Sequence, residues 1–260
     1  MTPIHYTANY LLNPTNPVSV VLIGAGGTGS QVLTTLARMS HALIQLGHPG
    51  FHVSVWDDDE VSRANLGRQL FAESELGFNK AVVLINRINR FFGTNWKAFP
   101  KRFDAKTGAK HSANLFITCV DTVAARVEVA ASIRKMRKAK QNDRDMPYYW
   151  LDFGNSRYTG QVMLATVDAI KQPESKQYNP VAQLPFITDE FADVLQQSEA
   201  DDNTPSCSLA EALTRQDLFI NSTLATMGSA LLWSLFRNGM TENRGFFLNL
   251  QDFRSQPVRV

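Results

Sequence analysis

The chain has 260 residues, of which 44% are apolar and 19% charged, and its formal net charge is +2. That length holds one large α/β domain or two small ones and can bury a sizeable core. A charge so close to neutral argues against a nucleic-acid or membrane surface, and two cysteines cannot build a disulfide framework or a four-cysteine zinc site. There is no basic segment leading into an apolar one at the N-terminus, and no apolar run approaches the ~20 residues that span a bilayer, so a cytoplasmic protein is expected.

Residues 1–17 are polar, rich in Asn, Thr and Pro, and read as an N-terminal arm. Val18–Ile23 is a short apolar run ending at glycines, the pattern of a buried parallel strand. The spacing of Val32, Leu33, Leu36, Met39, Leu43 and Leu46 predicts a helix over 28–46, stopped by Gly47-His48-Pro49-Gly50. Phe51–Trp56 reads as the second strand and Lys80–Phe92 as the next helix, followed by a short strand within 96–103. A further buried strand is expected over 115–120, a helix over 122–138, and two more strands over 147–153 and 160–167.

Strands alternating with helices define an α/β fold: a Rossmann-like, mostly parallel sheet with helices on both faces, extended by antiparallel strands in the second half. Residues 168–206 are polar, carry Pro173, Pro180, Pro185 and Pro205, and read as a long crossover excursion. The strongly apolar helix at 217–237 is either a homodimer surface or core, and 246–250 suits a closing strand. The organisation expected is an arm, 1–17, and a single domain, 18–260.

The run Gly24-Ala25-Gly26-Gly27-Thr28-Gly29 stands between a strand and a helix. Glycines there permit a tight turn and close approach of a phosphate, and the helix N-terminus offers free N–H groups and partial positive charge. Alone, the pattern fits a ligand-free turn as well as a nucleotide loop. Asp57-Asp58-Asp59 ends the next strand, where an acidic residue usually accepts hydrogen bonds from a ribose. Asp57 is the first candidate and Asp59 the second; a solvated acidic turn is the plainer alternative.

The string Asp57-x-Asp59-x-Val61-x-x-x-Asn65-Leu66-x-Arg68-Gln69 is more specific. After it come Gly77-x-x-Lys80, Cys119-Val120-Asp121-x-x-x-x-Arg126 and Gly160-Gln161-Val162. In order and spacing the set resembles the ThiF/MoeB/HesA family, the ubiquitin-activating-enzyme-like adenylyltransferases. Within that family it is most similar to the divergent ThiF-type proteins of the PRTRC plasmid cassette. The resemblance covers 18–167 well, with a weaker echo in the helix after 208.

The resemblance implies ATP- and Mg²⁺-dependent adenylation of the C-terminal carboxylate of a small ubiquitin-like or sulfur-carrier-like protein with an extended tail. Transfer to a cysteine and a homodimeric enzyme are implied as well. Gly24, Gly26, Gly27 and Gly29 would form the phosphate loop, Asp57 or Asp59 would hold the ribose, and Asn65, Arg68, Gln69 and Lys80 would contact the nucleotide. Asp121 would bind Mg²⁺. Cations of this kind stabilise the charge that builds on the α-phosphate and on departing pyrophosphate. The chain departs from the family in three respects, one being the turn at 47–50, which makes the first crossover longer than usual. The two Cys-x-x-Cys zinc pairs of many relatives are missing, so no structural zinc is expected. Residues 1–37 contain no arginine or lysine, whereas relatives supply an N-terminal arginine to the partner subunit's site.

Cys119 lies in an apolar run and reads as a small buried residue; Cys207, before a helix, is the candidate nucleophile. The histidines show no metal-ligand spacing, and the basic stretch 134–140 reads as a solvated helix end. Asp152 and Asn155 are expected to line a substrate groove. Competing readings are a non-catalytic nucleotide- or partner-binding module of the same fold and, supported only by the glycine run and Asp57, an NAD-dependent oxidoreductase.

Overall fold

The computed structural model describes residues 1–104, 111–139, 142–193, 195 and 216–260. In chain order the strands are β1 (Thr2–Tyr6), β2 (Val18–Ile23), β3 (Phe51–Trp56), β4 (Lys97–Phe99), β5 (Leu115–Thr118), β6 (Tyr149–Asn155), β7 (Thr159–Thr166), β8 (Tyr178–Pro180), β9 (Met240–Thr241), β10 (Asn243–Asn249) and β11 (Arg254–Arg259). The helices are α1 (Asn9–Leu12), α2 (Gly27–Gln45), α3 (Lys80–Phe92), α4 (Val123–Ala139), α5 (Ile187–Glu190) and α6 (Ile220–Asn238).

An eight-stranded sheet runs in the order β11-β10-β7-β6-β5-β2-β3-β4. Neighbours from β4 through β6 pair in parallel, whereas β6–β7, β7–β10 and β10–β11 are antiparallel. Side chains alternate across a strand, so β2 feeds two cores. Val20 and Leu22 pack with α2, α3 and α6 on one face, while Val21 and Ile23 pack with α4 on the other. The expected mostly parallel sheet with an antiparallel extension is what the chain forms.

The first 12 residues are tied into the domain. β1 lies between β8 and β9, and Ile4, His5, Ala8 and Leu11 are buried. The Val181 carbonyl can only accept, so His5 Nδ1, 2.6 Å away, is the donor. His5 Nε2 is then free to accept from the Tyr149 hydroxyl at 2.9 Å, and that oxygen accepts from Ala8 N at 2.9 Å. The three groups are satisfied with a neutral imidazole, and burial lowers the His5 pKa.

The first part of the expected excursion is also packed. Leu184, Phe186, Ile187 and Leu195 are buried, and Leu184 O accepts from Thr166 N at the end of β7 (3.1 Å). Helix α6 is core along its inner face, with Leu224, Ala225, Gly228, Leu232 and Leu235 buried. At Gly228 a Cβ would stand 2.4 Å from the Phe153 ring, so the glycine is what lets α6 lie directly on β6. Among the described residues no helix is long and apolar enough to cross a membrane.

Candidate functional site

β2 has β3 on one side and β5 on the other, and the connections leave in opposite directions. The crevice beyond the carboxyl ends of these strands is the topological switch point, where open α/β sheets bind ligands. The glycine loop lies there, between β2 and α2. Gly24 has φ +91°, and a Cβ on it would come 2.6 Å from Cys119 O at the end of β5. A Cβ on Gly29 would stand 1.9 Å from Gly24 O, so helix and turn close on each other only with glycine. Gly26 is the opposite case: nothing lies within 4 Å of where its Cβ would be. The loop is open at that point, and the first turn of α2 has no side-chain cap, which leaves its N–H groups for a ligand.

Asp57 is oriented by this loop. Its Oδ2 accepts from Ala25 N at 2.6 Å and its Oδ1 from Asp59 N at 2.9 Å. Burial pushes its carboxyl above the ordinary value, opposed by those N–H groups and by Lys80. Asp58 and Asp59 are exposed. Lys80 is buried and its Nζ lies 2.7 Å from Asp59 Oδ2, so the second ribose candidate is the partner of the lysine. Asn79 caps α3, accepting from Val82 N at 3.1 Å, and its Nδ2 donates to the carbonyls of Asp57 and Asp59 at 2.9 and 3.1 Å. The acidic turn and the lysine are thereby one rigid unit.

The Asn65–Gln69 segment hangs on the first turn of α2, where Ser30 Oγ accepts from Leu70 N at 3.3 Å. Asn65 is buried, and its Oδ1 accepts from Ser62 N at 2.8 Å, which leaves the NH₂ end for another partner. Arg68 Nη1 donates to Gln216 Oε1 at 2.5 Å. Among the described residues, Arg68 Nε and Gln69 Oε1 are buried without a hydrogen-bond partner. Leaving such groups unsatisfied costs about 1–3 kcal/mol each. A guanidinium is the side chain best suited to a phosphate, through paired N–H donors.

Asp121 follows β5 at the same edge of the sheet and is exposed. An exposed carboxylate at that edge could hold a hard cation such as Mg²⁺, which keeps most of its ligands from water. The structure therefore gathers Gly24, Gly26, Gly27, Gly29, Asp57, Asp59, Lys80, Asn65, Arg68, Gln69 and Asp121 at the carboxyl edge of the parallel strands. Cys207 lies outside the described residues. Cys119 is partly buried, and its thiol is held well above its ordinary pKa by desolvation and then by Asp152, so it stays protonated.

Asp152 does not line a groove. It is buried, receives Arg126 Nε at 3.1 Å, and accepts the Thr118 hydroxyl. An apolar strand hides which of its polar residues points inward, and here the carboxylate is matched by a buried arginine. Asn155 does reach the site edge, donating to Asn221 Oδ1 at 3.1 Å. Gln216, Asn221 and Ser30 were missed by the sequence reading. Only Asn79 had a legible signal, as a residue able to cap the helix opening at Lys80.

Fold and glycine loop together define an α/β protein of the doubly wound type, with an open crevice at the switch point of its sheet. The ThiF family model matches residues 13–259, and the chain belongs to the ThiF family. Solved structures with a similar fold include PaaA, at TM-score 0.59 and 15% identity, covering 94% of this chain and 64% of that one. They also include Escherichia coli MccB with ATP, at TM-score 0.56 and 15% identity, covering 96% and 65%. MccB with AMPCPP and MccA gives TM-score 0.58 at 15% identity, covering 96% and 65%. The chain thus spans less than two thirds of these neighbours, and identity this low shows the fold. A 60-residue stretch, 23% of this chain, is 37% identical to 18% of a Yersinia pestis glycerol-3-phosphate dehydrogenase [NAD(P)+].

Proposed function

We propose that the chain binds ATP with Mg²⁺ and adenylates the C-terminal carboxylate of a small ubiquitin-like or sulfur-carrier-like protein. The observation that carries the reading is the open, uncapped glycine loop at the switch point of the sheet, with Asp57 hydrogen-bonded to its Ala25 N. Membership of the ThiF family and the fold shared with MccB, solved with ATP, support it. In the proposed reaction a carboxylate oxygen attacks the α-phosphorus, an acyl–phosphate bond forms, and the bond to the bridging oxygen breaks as pyrophosphate leaves. The attacking carboxylate is already ionised, so no general base is required and positioning dominates. Arg68 and Lys80 stabilise charge on the phosphates, Asn65 and Gln69 orient them, and Asp57 holds the ribose. Mg²⁺, with Asp121 as its proposed protein ligand, neutralises phosphate charge when bound.

The partner's tail enters extended beside β7, near 160–164. The acyl group then passes to the Cys207 thiolate with release of AMP, a step that Cys207→Ala would abolish while leaving the adenylate. Homodimerisation belongs to the same proposal and is read by sedimentation. Trapping with hydroxylamine tests the central step: a small ubiquitin-like partner, ATP and Mg²⁺ should give a C-terminal hydroxamate. Its absence with every such partner, or tighter binding of NAD than of ATP, would sink the reading.

A second reading, nucleotide binding without turnover, is favoured by one observation. Residues 2–12 are tied into their own subunit through β1 and His5, and carry no arginine to lend to a partner. ATP binding without hydroxamate formation would select it.

A further inference from the structure

The segment that opens α6 reaches back into the nucleotide site. Asn221 is buried, and both acceptor positions of its Oδ1 are used, by Thr28 Oγ1 at 2.9 Å and Asn155 Nδ2 at 3.1 Å. Its Nδ2 donates to Gln216 Oε1 at 3.0 Å. Gln216 Oε1 also accepts from Arg68 Nη1 at 2.5 Å, so both of its acceptor positions are used. With every acceptor committed, neither amide can turn without losing bonds on two sides. Asn221 also roofs the glycine loop: a Cβ on Gly27 would stand 2.5 Å from its Nδ2.

We infer that Gln216 and Asn221 are positioning residues that lock Arg68 to the first turn of α2, so that the guanidinium and the loop N–H groups act on one triphosphate. The inference rests on the ATP-binding reading above. Two donors that must converge on the same phosphates come from separate segments, the loop after β3 and the helix after β2. An arginine side chain free to rotate loses entropy on binding, and holding Nη1 on a fixed acceptor reduces that loss. The relay Thr28–Asn221–Gln216–Arg68 ties the guanidinium itself to the first turn of α2, alongside the contact of Leu70 N with Ser30 Oγ.

The test is calorimetric titration of the full chain with ATP and Mg²⁺, in wild type, Arg68→Ala, Gln216→Ala, Asn221→Ala and the double variant Arg68→Ala/Gln216→Ala. Gln216→Ala should weaken ATP binding about tenfold with an unchanged melting temperature, the scale of one hydrogen bond to a charged group. The double variant should bind no more weakly than Arg68→Ala alone, because Gln216 acts through the arginine. Asn221→Ala should weaken binding similarly. Should it fail to fold, Gln216→Ala carries the test, since Gln216 is only partly buried. Wild-type affinity in Gln216→Ala, or losses that multiply in the double variant, would overturn the inference while leaving ATP binding intact. Wild type that binds no ATP overturns the parent reading, and the inference falls with it.

Discussion

Arg126 Nε lies 3.1 Å from Asp152 Oδ2 in an ion pair whose side chains are 5% and 1% exposed. The same guanidinium donates from Nη2 to Val120 O at 2.7 Å and Phe153 O at 3.0 Å, tying the end of β6 to the residue before Asp121. A buried pair of this kind gains little net stability over apolar neighbours, yet losing one partner strands the other charge. Arg126→Ala is expected to cost about 3–5 kcal/mol. The double replacement Arg126→Met/Asp152→Leu should recover much of that cost and still bind ATP more weakly, since the strand end that presents Asp121 is no longer held. Urea unfolding with parallel ATP titration measures both.

The glycine loop separates folding from binding at single positions. Gly26→Ala places its methyl in open space, so the melting temperature should be unchanged while ATP affinity falls at least tenfold. Gly29→Ala meets Gly24 O at 1.9 Å and should unfold the domain at lower temperature whether or not ligand is present. Equal effects of the two substitutions on stability would contradict this division.

Much of the parallel half was legible because each strand ends in a signal: glycines after Ile23, acids after Trp56, an aspartate at 121. The first 12 residues were not, because polar composition conceals that Ile4 and His5 pair with strands 170 or more residues away and that Ala8 and Leu11 pack into the core. The β10–β11 hairpin was half seen. Its turn contains neither glycine nor proline, and Phe253 takes φ +52°, a conformation that a reading from residue type reserves for glycine or asparagine. In the site, residues matching the family string could be placed by spacing, whereas Gln216 and Asn221 reach it only through tertiary contact.

Acid should act on the N-terminal segment through His5. Its pKa is lowered by burial, so the folded chain binds the proton less readily than the unfolded chain. Stability is therefore fully present above the unfolded value of ~6.5 and is lost as pH falls toward the lower folded value. His5→Gln should flatten that part of the melting temperature–pH profile. An unaltered profile would remove His5 as the cause.

Asp57 shifts the other way. Its folded pKa is raised by burial, so its contribution to stability is present below the unfolded value of ~3.9 and is lost as pH rises through the folded one. The ionised carboxylate at neutral pH is thus held at some cost, as expected of a group kept for binding. ATP affinity should fall on acidification at a pH above the ordinary carboxylate range. Asp57→Asn should bind weakly at every pH, with that acid limb gone.

Exchange of labelled pyrophosphate into ATP, with a small ubiquitin-like partner present, tests adenylation most directly. Partner-dependent exchange is expected in wild type and should disappear in Asp121→Ala. ATP bound with no exchange under any of these conditions would contradict it and leave a binding module of the same fold.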